Sequence, residues 1–181
     1  MAESVSVREA VQQLFEMDAD DVYRYAVSIL GRSVEAEDVV QEVFVRVFRH
    51  WYRFRHDASV KTWLFAITRN CIQDSYRKHH RRKEYLTEAG TVPDSPEPWI
   101  DESLLELEDT LKDLSASYRQ VVALRFIHDL STEDTAKVLG WSTAKVRTTL
   151  HRAVHSLRKG LYPDGTVRVG RRQKEREPHG V

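Results

Sequence analysis

"STEDTAKVLGWSTAKVRTTLHRAVHSLRK", residues 131–159, decides the fold of this chain. Two short segments with apolar residues at helical spacing flank "LGWS", a link that leaves room only for a tight turn. Ser131 and Ser142 stand where helix N-caps are needed. Gly140 stands where a helix C-cap takes a positive φ. Ala136 is small where two helices cross closely, and Val146 anchors the second helix on the first. The pattern predicts a helix-turn-helix whose second helix enters the major groove of DNA. Val146, Leu150, Val154 and Leu157 form the inner stripe of that helix. Its solvent side presents Thr143, Lys145, Arg147, Thr148, His151, Arg152 and His155, and cations with hydroxyl donors suit phosphates and base edges. The competing reading is a basic surface helix in an ordinary bundle.

Working outward, "LLELEDTLKDL" and "SYRQVVALRFIHDL" add two helices ahead of Ser131, so residues 105–160 make a four-helix unit. Residues 84–104 carry Pro93, Pro96 and Pro98 among many acids and are expected to be a flexible linker, with Trp99 as an anomaly within it. A first helical unit is expected over residues 8–83. "DDVYRYAVSILG" puts Val22, Ala26, Ile29 and Leu30 on one face, with Gly31 as C-cap. "EAEDVVQEVFVRVFRHW" puts Val40, Val43, Phe44, Val47 and Phe48 on an inner stripe and Asp38, Gln41, Glu42, Arg46 and Arg49 on the other side. A third helix starts near Thr62, with Leu64, Ile67 and Cys71 as core positions. The tail, residues 161–181, is basic, poor in apolar residues and expected to be disordered. The fold class is therefore all-α, two small helical domains joined by a linker.

At 181 residues, 41% apolar and 31% charged, the chain is globular in composition. The single Cys71 excludes an intramolecular disulfide and any Cys-rich metal site. No apolar run approaches the length of a membrane span, and "MAESVSVREAVQQ" lacks the pattern of a secretory signal, so a cytoplasmic location and no membrane insertion are expected. There is no Gly-rich phosphate loop and no nucleophile-base-acid set, so no enzyme and no cofactor are expected. His151 and His155 at i, i+4 leave a zinc pair open, but a DNA-facing role suits them better and no metal is assigned.

The net charge of zero hides an asymmetry. Residues 69–83 carry +5, residues 142–159 carry +5 and residues 160–181 carry +2, which leaves −12 for the rest. Two basic clusters in an otherwise acidic chain suit two separate contacts with a polyanion. In the first cluster, Asn70, Gln73 and Arg77 share one polar helix edge, flanked by Arg69. Polar planar groups beside Trp63, Phe65 and Tyr76 suit splayed or single-stranded bases, or else the aromatics are core and the cations a solvated helix end.

The order and spacing of these segments over residues 8–160 resemble the bacterial extracytoplasmic-function sigma factors of the sigma-70 family. "DDVYRYAVSILGRSVEAEDVVQEVFVRVFRHW" is similar to the helices of their region 2, "FRHDASVKTWLFAITRNCIQDSYRK" to the promoter-melting segment, and "LKDLSASYRQVVALRFIHDLSTEDTAKVLGWSTAKVRTTLHRAVHSLRK" to region 4. The resemblance implies that the chain directs core RNA polymerase to promoters. It places Asp38, Gln41, Glu42 and Arg46 on the face that docks on the clamp helices of the largest polymerase subunit, and region 4 on the flap of the second largest. It places Arg55, His56, Asp57, Ala58, Ser59, Val60 and Lys61 in a loop that captures a flipped base of the −10 element, and Asn70 at a wedge that unstacks the duplex. Arg69, Gln73, Arg77 and Lys78 fall where the helix follows −10 DNA, while Thr143, Lys145, Arg147, Thr148, His151 and Arg152 fall where region 4 reads the −35 element. It implies an anti-sigma factor, often membrane-bound, and a stress response. His56 replaces a glycine common in the family loop, and Trp141 replaces an aliphatic residue in the turn. A self-sufficient helix-turn-helix regulator and a helical interaction module without a DNA role remain the alternative readings.

Overall fold

The computed structural model of the chain describes residues 2–31, 33–54, 58–88, 111 and 114–161, with side chains over 7–31, 34–54, 58–78, 111 and 114–159. Among the described residues there are six α-helices and no strand, as an all-α chain requires. The linker beyond Glu88, the acidic helix expected over residues 104–114 (apart from Leu111 and Leu114) and the tail beyond Leu161 lie outside the described residues.

Helices α1 (Ala2–Leu30), α2 (Ser33–His50) and α3 (Val60–Glu88) pack on one another as a three-helix unit. α1 is far longer than its apolar segment near residue 20 suggests, because Val11 and Leu14 continue the buried stripe of Val22, Ala26 and Ile29. Gly31 ends it with φ +66°, and its amide donates to the Val27 carbonyl. α2 buries Ala36, Val39, Val43, Phe44 and Val47. Phe48 corrects the expected core stripe: it is 48% exposed, because it sits at the margin of the apolar arc where α2 turns toward solvent. α3 buries Leu64, Phe65, Cys71 and Ile72 with Thr62 and Thr68, and Ile67 only in part. It runs five residues beyond the expected boundary at residue 83.

The second unit contains α4 (Ala116–Val122), a π-helical turn (Ala123–Ile127), α5 (Thr132–Leu139) and α6 (Thr143–Leu161). Each N-cap serine performs as expected. Ser131 Oγ accepts from the Asp134 amide at 2.9 Å. Ser142 Oγ accepts from the Lys145 amide at 3.2 Å. Gly140 has φ +65°, and a Cβ added there would meet nothing within 4 Å. The need for glycine is therefore conformational rather than steric. Gly140→Ala is expected to cost about 1 kcal/mol, the left-handed penalty of an L-residue, while Gly140→Asn recovers most of it; thermal melting of the two variants checks the order.

The two units are not apart. α3 packs on α5, and α1 packs on α4 and the π turn. One buried cluster runs from Tyr25 and Phe65 through Leu124, Val138 and Leu139 to Val146. A smaller cluster of Leu111, Leu114, Val122 and Ala153 closes the far side of the second unit.

Candidate nucleic-acid interface

The helix-turn-helix presents a cationic outer side. Lys145, Arg147, Thr148, His151, Arg152 and His155 are exposed on α6, Thr143 is half-buried at its start, and Val146 and Ala153 hold the opposite side. Arg147 lies 3.7 Å from Glu133 of α5. A solvent-facing pair of this kind contributes little energy. Trp141 is half-buried. The Lys145 ammonium sits 4.1 Å from the centroid of its ring, close enough for a cation–π contact. Trp141 thus positions a cation at the start of α6.

On α3 the helical repeat separates the expected DNA residues into two groups. Asn70, Arg77 and Lys78 are exposed and Gln73 is half-buried, so the Asn70–Gln73–Arg77 edge faces outward as predicted. Arg77 lies 3.6 Å from Asp74. Arg69 sits on the flank between that edge and the core; it is half-buried and its Nε is buried without a hydrogen-bond partner. Tyr76 is 55% exposed, which removes it from the core. Trp63 packs with Trp51 and Phe54, at ring-centroid distances of 6.0 and 5.1 Å. This aromatic cluster brackets the expected base-capturing loop, of which Arg55, His56 and Asp57 lie outside the described residues.

Three members of that loop, Ser59, Val60 and Lys61, belong to the helix and its cap instead. Ser59 is the cap of α3. Its Oγ accepts from the Thr62 amide at 3.0 Å. The same oxygen lies 2.8 Å from Thr62 Oγ1. Lys61 is in the first turn of α3, and its ammonium donates to Asp21 of α1 at 3.1 Å. The cap chemistry starts the helix earlier than the apolar periodicity indicated.

α2 carries a third outward surface. Asp38, Gln41, Val45 and Phe48 are exposed at i, i+3, i+7 and i+10. Tyr52, 74% exposed, continues the line. Val45, Phe48 and Tyr52 were missed in the sequence, although their spacing from Asp38 was there to find. Arg46 departs from this line. Its Nε donates to Glu42 at 2.6 Å and a terminal nitrogen donates to Asp74 of α3 at 3.0 Å, so it ties α2 to α3. Cys71 is buried beneath, and burial pushes its thiol up to about 11, which keeps it protonated.

A family model for sigma-70 region 2 matches residues 14–82, and one for sigma-70 region 4 matches residues 104–157. The chain is 30% identical over 184 residues to the ECF RNA polymerase sigma factor SigX of Bacillus subtilis, covering 92% of this chain and 94% of SigX. The chain belongs to the extracytoplasmic-function sigma factors. Among solved structures, this sigma factor is similar to RpoE of Bartonella quintana, crystallised with the anti-sigma factor NepR, at 25% identity and a TM-score of 0.71 over 84% of this chain and 97% of RpoE. It is also similar to CnrH in complex with the cytosolic domain of CnrY, at 27% identity and a TM-score of 0.67 over 90% of this chain and 95% of CnrH. The sigma factor thus serves RNA polymerase in promoter recognition and transcription initiation. None of its described helices is long and apolar enough to cross a membrane.

Proposed function

We propose that the three outward surfaces divide the work of initiation. The α2 line from Asp38 to Tyr52, with Glu42 beside it, docks on the clamp helices of core RNA polymerase. The Asn70–Gln73–Arg77 edge of α3, with Lys78, follows and unstacks −10 DNA. The outer side of α6 reads the −35 element, and the second unit meets the polymerase flap. One observation carries this reading: the α2 line and the α3 edge are exposed on two different helices of a single three-helix unit, so one unit can hold polymerase and duplex at once.

The mixed apolar and acidic character of the α2 line suits a protein partner, whose interface core takes aromatic and aliphatic anchors. The α3 edge, with an amide pair and cations, suits bases and phosphates. Arg46 acts from behind, by fixing α2 against α3 rather than by contact. Melting costs a few kcal/mol per unstacked base, more than one small helical unit supplies, so opening requires the polymerase. The sigma factor supplies recognition rather than bond chemistry. It works in the cytoplasm, and an anti-sigma factor of the kind bound to RpoE covers it until a stress signal arrives.

The test separates two steps. Asn70→Ala is expected to lower open-complex formation about tenfold, the loss of one specific base contact, with core binding unchanged. Asp38→Arg is expected to weaken core binding while leaving opening per bound holoenzyme intact. Permanganate footprinting and core-binding titration read the two effects. Equal loss of core binding in both variants would show that the faces are misassigned.

A further inference from the structure

His128 ends the π turn of the second unit and lies wholly inside the contact with the first. Its ring packs on Phe65 of α3 with centroids 4.7 Å apart, and edge-on against Tyr25 of α1 at 5.8 Å. Its Nδ1 is 3.8 Å from Asp21. That is too far for a hydrogen bond, and neither ring nitrogen has a hydrogen-bond partner. A histidine buried this way is a shape-filling ring with two unmet polar atoms, an expensive choice for a permanent core. The match to RpoE spans 84% of the chain and so takes in both units.

Promoter geometry conflicts with this contact. Elements centred near −10 and −35 are roughly 25 base pairs apart, about 85 Å of duplex at about 34 Å per ten base pairs. Here α3 packs on α5 and α5 packs on α6. With packed helix axes about 10 Å apart, α6 lies within about 20 Å of α3. The two DNA-facing helices cannot both reach their elements in this arrangement. The chain has the length to open, because residues 89–110 join the units. At about 3.4 Å per residue, that segment spans about 75 Å when extended.

We propose that the sigma factor latches itself shut by seating the His128 ring between Tyr25 and Phe65, and that this latch must release before the two units occupy a promoter. The inference rests on the assignment of −10 DNA to the first unit and −35 DNA to the second. The latch is built from the residues at the seat and works without a partner. It is also sensitive to protons. Burial depresses His128 from its ordinary 6.5 to about 4; Asp21 of α1 opposes the shift, while Lys61 of α3 and Arg24 of α1 reinforce it. Asp18 of α1 interacts with Lys61 and Asp21: its own burial and Asp21 raise it, and Lys61 lowers it. Arg125 of the same turn is occupied by the Leu130 carbonyl, and Asp129 is exposed. The closed form therefore binds fewer protons than the open form, so acidification through the window between about 6.5 and about 4 favours opening, and a higher pH restores closure.

The test is energy transfer in the full chain without polymerase, between dyes on Gln13→Cys and Ser156→Cys, both exposed, with buried Cys71 left in place. At pH 7.5 the parent is expected to show a single high-transfer population. At pH 5 the ratio of open to closed molecules is expected to rise about 30-fold. His128→Phe should keep the high transfer and lose the pH response. His128→Asp should give low transfer at pH 7.5 with helical circular dichroism retained, which separates opening from unfolding. Low transfer in the parent at pH 7.5, a pH response that survives in His128→Phe, or high transfer retained in His128→Asp would each overturn the latch. None of these outcomes bears on whether the holoenzyme initiates at promoters, which run-off transcription reads separately.

Discussion

Lys145→Ala, Arg147→Ala and Arg152→Ala together are expected to lower promoter-specific affinity of the holoenzyme at least about 100-fold, since each cation lost from a DNA-facing helix costs about 1–3 kcal/mol. All three side chains are exposed on α6, on the side away from Val146 and Ala153. Their removal should leave stability within about 0.5 kcal/mol, because surface changes away from caps and core have little effect. Only local contacts are lost: the solvent-facing pair of Arg147 with Glu133, and the seat of Lys145 over Trp141. The dependence of log affinity on log salt should also become shallower, by about 0.9 for each phosphate contact removed. Anisotropy with a duplex promoter fragment and reconstituted holoenzyme measures both. A helical interaction module with no DNA role predicts no change in either. A self-sufficient regulator predicts the same loss with the isolated chain, whereas the sigma factor shows it only with core polymerase present.

How much of this was legible in the sequence follows from which forces acted locally. The helix-turn-helix was readable to the residue, since its limits are set by Ser131, Gly140 and Ser142, whose caps act within one turn of themselves. The start of α3 was misplaced because the Ser59 cap lies outside the apolar repeat, so periodicity alone located the helix too late. Phe48 looked like core because an apolar stripe has no sharp edge in sequence; which aromatic at its margin turns outward depends on where α3 lies. Arg46 looked like a surface charge because its partner Asp74 is 28 positions away on another helix. His128 was invisible for the same reason. Nothing in "FIHDL" announces a ring seated between Tyr25 and Phe65, since that seat exists only when the two units meet.

Leu64→Ala is expected to destabilise the first unit by about 2–5 kcal/mol, the range for a large aliphatic side chain deleted from a closed core. Leu64 is fully buried on α3, in the cluster that includes Val22, Tyr25 and Val43. A domain with about 5–15 kcal/mol of stability loses a large fraction of it. At about 2–4 °C per kcal/mol for a chain of this size, the melting midpoint should fall by about 10 °C. Leu64→Met keeps most of the volume and should cost less than about 1.5 kcal/mol. The functional signature differs from that of Asn70, although the two residues share a helix. The cavity variant should open promoters normally at low temperature and lose activity as its unfolded fraction grows. Asn70→Ala should melt like the parent and open promoters poorly at every temperature, because an exposed edge contributes contact to DNA and nothing to the core. Thermal melts run in parallel with footprinting, from about 15 °C to about 45 °C, distinguish them. If Leu64→Ala failed at low temperature while fully folded, α3 would be doing more at Leu64 than holding the DNA edge in place.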